Sequence, residues 1–150
     1  MVRSKASLLL VVSPMCAAFS RLQRLNYPNM DPEKVKQLVE YGVKHLEFCM
    51  ILCRMHERGL YFLFEHPASA TSWDNKMVKR LMGTPGVERV VGHMCQFDMK
   101  QKDNDGVGMV KKPTGFLTNA RGIARRLGKK CGGMHRHITL VNGRAKAAEV

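Results

Sequence analysis

Two short, uninterrupted apolar runs bracket a long stretch of helical periodicity, and this arrangement limits what the chain can fold into. The first run is Leu8-Leu9-Leu10-Val11-Val12 and the second is Leu60-Tyr61-Phe62-Leu63-Phe64. Each is too short for a membrane span and is followed by a Pro-containing turn, so each reads as a buried strand, the first over residues 7–13. Between them, Asp31 is a suitable N-cap and Pro32 suits the first helical position. Apolar or small residues then recur at Val35, Leu38, Val39, Gly42, Leu46, Cys49, Met50 and Cys53, and Gly59 marks the helix end. Strand, helix, strand is the signature of an α/β domain with a mostly parallel sheet.

The rest of the chain continues that pattern. Residues 73–82 read as a helix with Ser72 as its cap, Thr84-Pro85-Gly86 as a turn, and residues 87–91 as a third strand. Residues 100–108, charged and glycine-containing, read as a surface loop, and so do residues 14–30. A fourth strand is expected over residues 113–118, a short basic helix over 120–127 and a last strand over 138–141. At 150 residues the chain has material for one core, so a single domain is expected over 1–150.

Charge is distributed unevenly. Residues 1–75 carry nine Lys and Arg against seven Asp and Glu, whereas residues 76–150 carry sixteen against five. The basic half, about 76–150, suits a polyanionic partner such as DNA or another nucleic acid. Arg121, Arg125, Arg126, Lys129 and Lys130 form the densest strip and are the candidate phosphate contacts. No apolar run reaches the length of a membrane-spanning helix, so no membrane partner is expected. Five cysteines without a short-spaced framework suggest a reduced, intracellular protein. Arg3 and Lys5 before the first apolar run would also suit a short signal peptide, but Pro14 ends the run abruptly and a strand is the better reading.

In parallel α/β sheets, ligands sit beyond the carboxyl ends of the strands. Two such places hold reactive residues: Ser13-Pro14-Met15-Cys16 after the first strand and Glu65-His66-Pro67 after the second. A cysteine there can act as a nucleophile, and a glutamate as an acid. Cys131, His135 and His137 are possible zinc ligands, with Cys95 as a fourth, but the spacing is irregular and there is no second close pair. No metal is therefore expected.

The stretch Val12-Ser13-Pro14-Met15-Cys16-Ala17-Ala18-Phe19-Ser20 resembles the Pro-Cys-Gln loop of the cytosine-C5 DNA methyltransferases, and Phe62-Leu63-Phe64-Glu65-His66-Pro67 resembles their Glu-Asn-Val motif. Lys112-Pro113-Thr114-Gly115-Phe116-Leu117-Thr118-Asn119 is similar to a strand late in some viral and phage relatives. Together the similarity runs from residue 7 to about 140. In this chain Met15 separates Pro14 from Cys16, Ala17 stands where the family has Gln, and His66-Pro67 replaces Asn-Val. Similar segments occur in polyproteins of copia-type retroelements.

The resemblance implies an incomplete Rossmann-like three-layer α/β domain lacking the N-terminal cofactor-binding half. It also implies Cys16 as nucleophile toward C6 of a flipped cytosine, Glu65 as the base-activating acid at N3, and S-adenosylmethionine as methyl donor. The Gly-rich loop that holds this donor would precede residue 1. The chain is thus expected to be a fragment or remnant of a DNA methyltransferase-like domain, nuclear in a eukaryote, with the rest of a longer polyprotein as a further partner. The alternative is a nucleic-acid-binding fragment of a retroelement polyprotein without catalysis.

Overall fold

The computed structural model describes residues 7–140; Arg3, Lys5 and Val141, which entered the signal-peptide and last-strand expectations, lie outside this range. The first apolar run forms β1 (Leu9–Val12) and the second forms β2 (Tyr61–Pro67). Between them runs α2 (Pro32–Glu57), preceded by a short helix, α1 (Arg21–Asn26). Asp31 caps α2 by accepting a hydrogen bond from the Glu33 backbone N–H at 3.0 Å. Gly59, at φ 114°, turns the chain into β2. Leu46, Cys49, Met50 and Cys53 line the inner face of α2, with Gly42 also buried there, and pack with Phe62 and Phe64 in one core cluster. Burial of this kind stabilises by roughly 25 cal/mol per Å² of apolar surface.

Beyond β2 come α3 (Lys76–Met82), β3 (Glu88–His93), a hairpin of β4 (Lys100–Asp103) and β5 (Gly106–Met109), β6 (Pro113–Thr118) and α4 (Arg121–Leu127). The fold is mixed α/β, and its main sheet has the order β1-β2-β6-β3. The expectation of a mostly parallel sheet is corrected here. β1 and β2 pair in parallel, but β6 enters between β2 and β3 and pairs antiparallel with both. The connection from β3 to β6 carries no sheet-crossing helix, so nothing forces the two strands to run the same way.

Each face of this sheet carries a helix, α2 on one and, over β3 and β6, α4 on the other. A Cβ on Gly115 would lie 2.4 Å from the Trp73 ring, whereas one on Gly92 would lie 2.3 Å from the Leu127 carbonyl at the end of α4. Gly92 follows Val91, the register partner of Gly115, so these two close approaches are on opposite faces. Trp73 belongs to the α2 core and donates from Nε1 to the Pro67 carbonyl at 2.8 Å.

Several local expectations also change. The helix expected over 73–82 is a 3-10 turn (Thr71–Asp74) followed by α3, and Asn75, not Ser72, caps it. Residues 100–108 form most of the β4–β5 hairpin rather than a loop. Residues 138–140 form no strand; the chain there is held to Met109 by the isolated bridge at His137. Among the described residues no helix is long and apolar enough to cross a membrane.

Candidate functional site

In β2 the alternation of side chains sends Phe62, Phe64 and His66 into the core and leaves Glu65 on the other face. The register Val11 with Leu63 and Val12 with Phe64 places Ser13 next, opposite Glu65. Ser13 Oγ donates a hydrogen bond to Glu65 Oε2 at 2.5 Å. Glu65 belongs to the strand itself, which continues to Pro67, and not to the turn expected after Phe64.

Cys16 follows on the loop that leaves β1 and immediately precedes a 3-10 turn, Ala17–Phe19. That turn is seated against α2 at a bare backbone: a Cβ on Gly42 would lie 2.4 Å from the Ala18 Cβ. The loop is thus placed by helix packing as well as by β1. Cys16 and Glu65 both line one open cleft of about 690 Å³, with Thr114 and Phe116 of β6 and with Met94, Met99 and Lys112. The volume lies within the range of small-molecule sites.

His66 is buried below the Cys16 loop. Its Nδ1 shares a hydrogen bond of 2.6 Å with Ser72 Oγ, and its ring meets Phe19 edge-on with centroids 5.6 Å apart. Burial lowers its pKa to about 4, against the opposing pull of the Met15 and Pro14 backbone. The imidazole is therefore neutral at physiological pH and braces the loop without adding charge to the cleft.

Cys49 and Cys53 behave differently. Both are buried on α2; burial raises the Cys49 thiol, and burial together with the neighbouring Cys49 pushes Cys53 up to about 12. Such thiols are structural. Among the described residues the cysteines form no disulfide.

The five basic candidates, Arg121, Arg125, Arg126, Lys129 and Lys130, are all exposed on α4 and its exit. Lys129 Nζ sits 5.6 Å from the Phe97 ring centroid. Cys131, His135 and His137 do come together, and Cys95 joins them. Residue pattern alone gives Ser13 and His66 no role beside Cys16 and Glu65; the parallel register of the two strand ends is what marks Ser13 as the neighbour of Glu65.

The described residues do not fit S-adenosylmethionine. Gly106 and Gly108 belong to the antiparallel β4–β5 hairpin, and Gly132 and Gly133 lie in the segment after α4. Neither is a glycine-rich turn from a strand into a helix, the element that would cradle that donor.

Comparisons with known proteins gave no matching family model, no matching curated protein and no matching solved structure.

Proposed function

We propose that this chain carries the base-holding part of a DNA cytosine-5-methyltransferase-like domain, of incomplete Rossmann-like three-layer type. The observation that carries the reading is the convergence of Cys16 and Glu65, from two parallel strand ends, on one cleft. A cytosine swung out of the duplex would enter this cleft, since a stacked base cannot reach a nucleophile. The Cys16 thiolate adds to C6 as the Glu65 carboxylic acid gives its proton to N3. The C5–C6 π pair moves to C4–C5 while the C4=N3 pair takes up the proton, so C5 becomes the nucleophilic carbon of an enamine; return of the N3 proton to Glu65 and loss of the thiolate reverse the step. Lys112 at the cleft and the exposed cations of α4 would hold phosphates.

The edge of the sheet supports the partial character of the domain. β1 is an outer strand in the described sheet, with Leu8 and Val11 exposed, and the outer face of α2 exposes Tyr41, Phe48, Ile51 and Met55. Further strands and a covering layer from a longer polyprotein would pair and bury these groups. A thiolate nucleophile also suits a reducing, intracellular setting, the nucleus in a eukaryote.

The test is an oligonucleotide in which nitrogen replaces C5 of the target cytosine, making C6 more electrophilic. A denaturation-resistant protein–DNA adduct that disappears in Cys16→Ala supports the reading. Absence of adduct, or its persistence in that variant, overturns it.

The exposed strip on α4 favours a second reading, a nucleic-acid-binding fragment of a retroelement polyprotein without catalysis. DNA binding with a steep salt dependence, undiminished in Cys16→Ala and without any adduct, would select it.

A further inference from the structure

Four side chains far from the α2 core converge on one point. Cys95 lies in the 3-10 turn Met94–Phe97 that follows β3, Cys131 follows α4, and His135 and His137 stand on the segment beyond it. Their ligand atoms all lie within 4.8 Å of one another. Cys131 Sγ is 3.5 Å from Nε2 of His135 and 3.5 Å from Nε2 of His137, and the two Nε2 atoms are 3.0 Å apart. A tetrahedral zinc ion, with Zn–S of about 2.3 Å and Zn–N of about 2.0–2.1 Å, requires S···N near ~3.6 Å and N···N near ~3.3 Å. We infer that Cys95, Cys131, His135 and His137 form a structural zinc site.

The surroundings fit that ion. Cys95 is 3% exposed and the other three are half-buried, so the site is sheltered from water. The Gly133 backbone N–H donates to Cys131 Sγ at 3.3 Å, and Gly133 adopts φ +81°, a left-handed turn that carries the chain back toward His135. Such N–H donors hold a thiolate ligand in place. Two thiolates and two neutral imidazoles cancel the charge of Zn²⁺. This matters in a chain of net charge +13, where Lys129 and Lys130 immediately precede Cys131. Four protein ligands close the coordination sphere, the mark of a structural rather than a catalytic ion.

The ligand segments are also built to stay together. Cys131 N donates to His93 Nδ1 at 2.9 Å. Arg136, between the two histidines, forms a two-pronged ion pair with Asp103 at 2.8 and 3.2 Å. Ile138 N donates to the Met109 carbonyl at 2.8 Å. The ion would therefore tie the turn after β3, the exit of α4 and the β4–β5 hairpin into one unit. Met94 and Met99, which flank Cys95 in the chain, line the nucleobase cleft, so the same ion braces that wall.

The test uses the full 150-residue chain purified under reducing conditions without added chelator. One zinc per chain by elemental analysis is expected. Replacement by Co²⁺ should give the intense visible bands of a tetrahedral site together with sulfur-to-cobalt charge transfer. In Cys131→Ser and His137→Ala the bound metal should fall from one per chain to none, whereas Cys49→Ala should keep it. If the ligand variants fail to fold, the wild-type chain still decides through its stoichiometry and cobalt spectrum. Substoichiometric metal, a six-coordinate cobalt spectrum, or a Cys95–Cys131 disulfide in the native chain would overturn the assignment. These readouts are independent of DNA and of adduct formation.

Discussion

Ser13 and Glu65 stand 52 residues apart in the chain, yet the Ser13 hydroxyl donates to the Glu65 carboxyl oxygen Oε2 at 2.5 Å across the ends of β1 and β2. The parallel register of these strands makes this pairing and sets the carboxyl group on the cleft side of the sheet. Glu65→Gln retains the shape but has no acidic proton to give. Adduct formation with the C5-aza oligonucleotide should slow by about 10²-fold or more in this variant, the usual scale for removing a general acid. Ser13→Ala should slow it less, with the melting transition nearly unchanged. Equal rates for Glu65→Gln and wild type would remove Glu65 from the chemistry.

Gly42 offers a test of how the nucleophile loop is held. In a helix interior Gly→Ala normally gains about 1 kcal/mol. Here the new methyl would lie 2.4 Å from the Ala18 Cβ, two residues beyond Cys16. Overpacking of this type costs about 1–3 kcal/mol. Gly42→Ala should therefore show a net loss in urea denaturation and an altered rate of Cys16 alkylation.

His66 predicts a pH dependence with a definite sign. Burial holds its folded-state pKa at about 4, below the ordinary 6.5, so the unfolded chain binds the proton more readily. Its contribution is fully present above pH 6.5 and is lost as the pH falls through 4. The difference amounts to about 3 kcal/mol at about 1.4 kcal/mol per unit. Denaturation curves at pH 7 and pH 4 should differ by about that much more in wild type than in His66→Asn. Parallel pH profiles would contradict the buried, neutral state.

Asn119 closes the ladder between β2 and β6 with its side chain. Its Nδ2 donates to the Leu60 carbonyl at 2.8 Å, and its Oδ1 accepts from the Phe62 N–H at 3.0 Å. Asn119→Ala leaves both backbone groups without these partners, and a loss of about 2 kcal/mol is expected in thermal or chemical denaturation.

Thiol reactivity should separate the cysteines. Cys49 and Cys53 are buried and their thiols are raised, whereas Cys16 is half-buried at the cleft. Mass mapping after brief alkylation of the native chain at pH 8 should find Cys16 labelled well before either helix cysteine. Faster labelling of Cys53 would mean that the α2 core opens readily.

What the sequence determined by itself is local. The Asp31-Pro32 start, the apolar stripe and Gly59 define α2, and the apolar runs define β1 and most of β2, because caps, periodicity and φ preferences act within a few residues. The strand at Pro113–Thr118 and the basic helix after it were legible for the same reason. The β4–β5 hairpin could have been read from its Asn104-Asp105-Gly106 turn, but its charged strands hide the usual apolar alternation. Tertiary structure decided the rest. The direction of β6 follows from where it finds open hydrogen-bonding edges, between β2 and β3, and no local pattern records that. Likewise the metal-ligand set depends on Cys95 reaching Cys131 across a folded hairpin, sheet strand and helix, a distance that residue spacing cannot express.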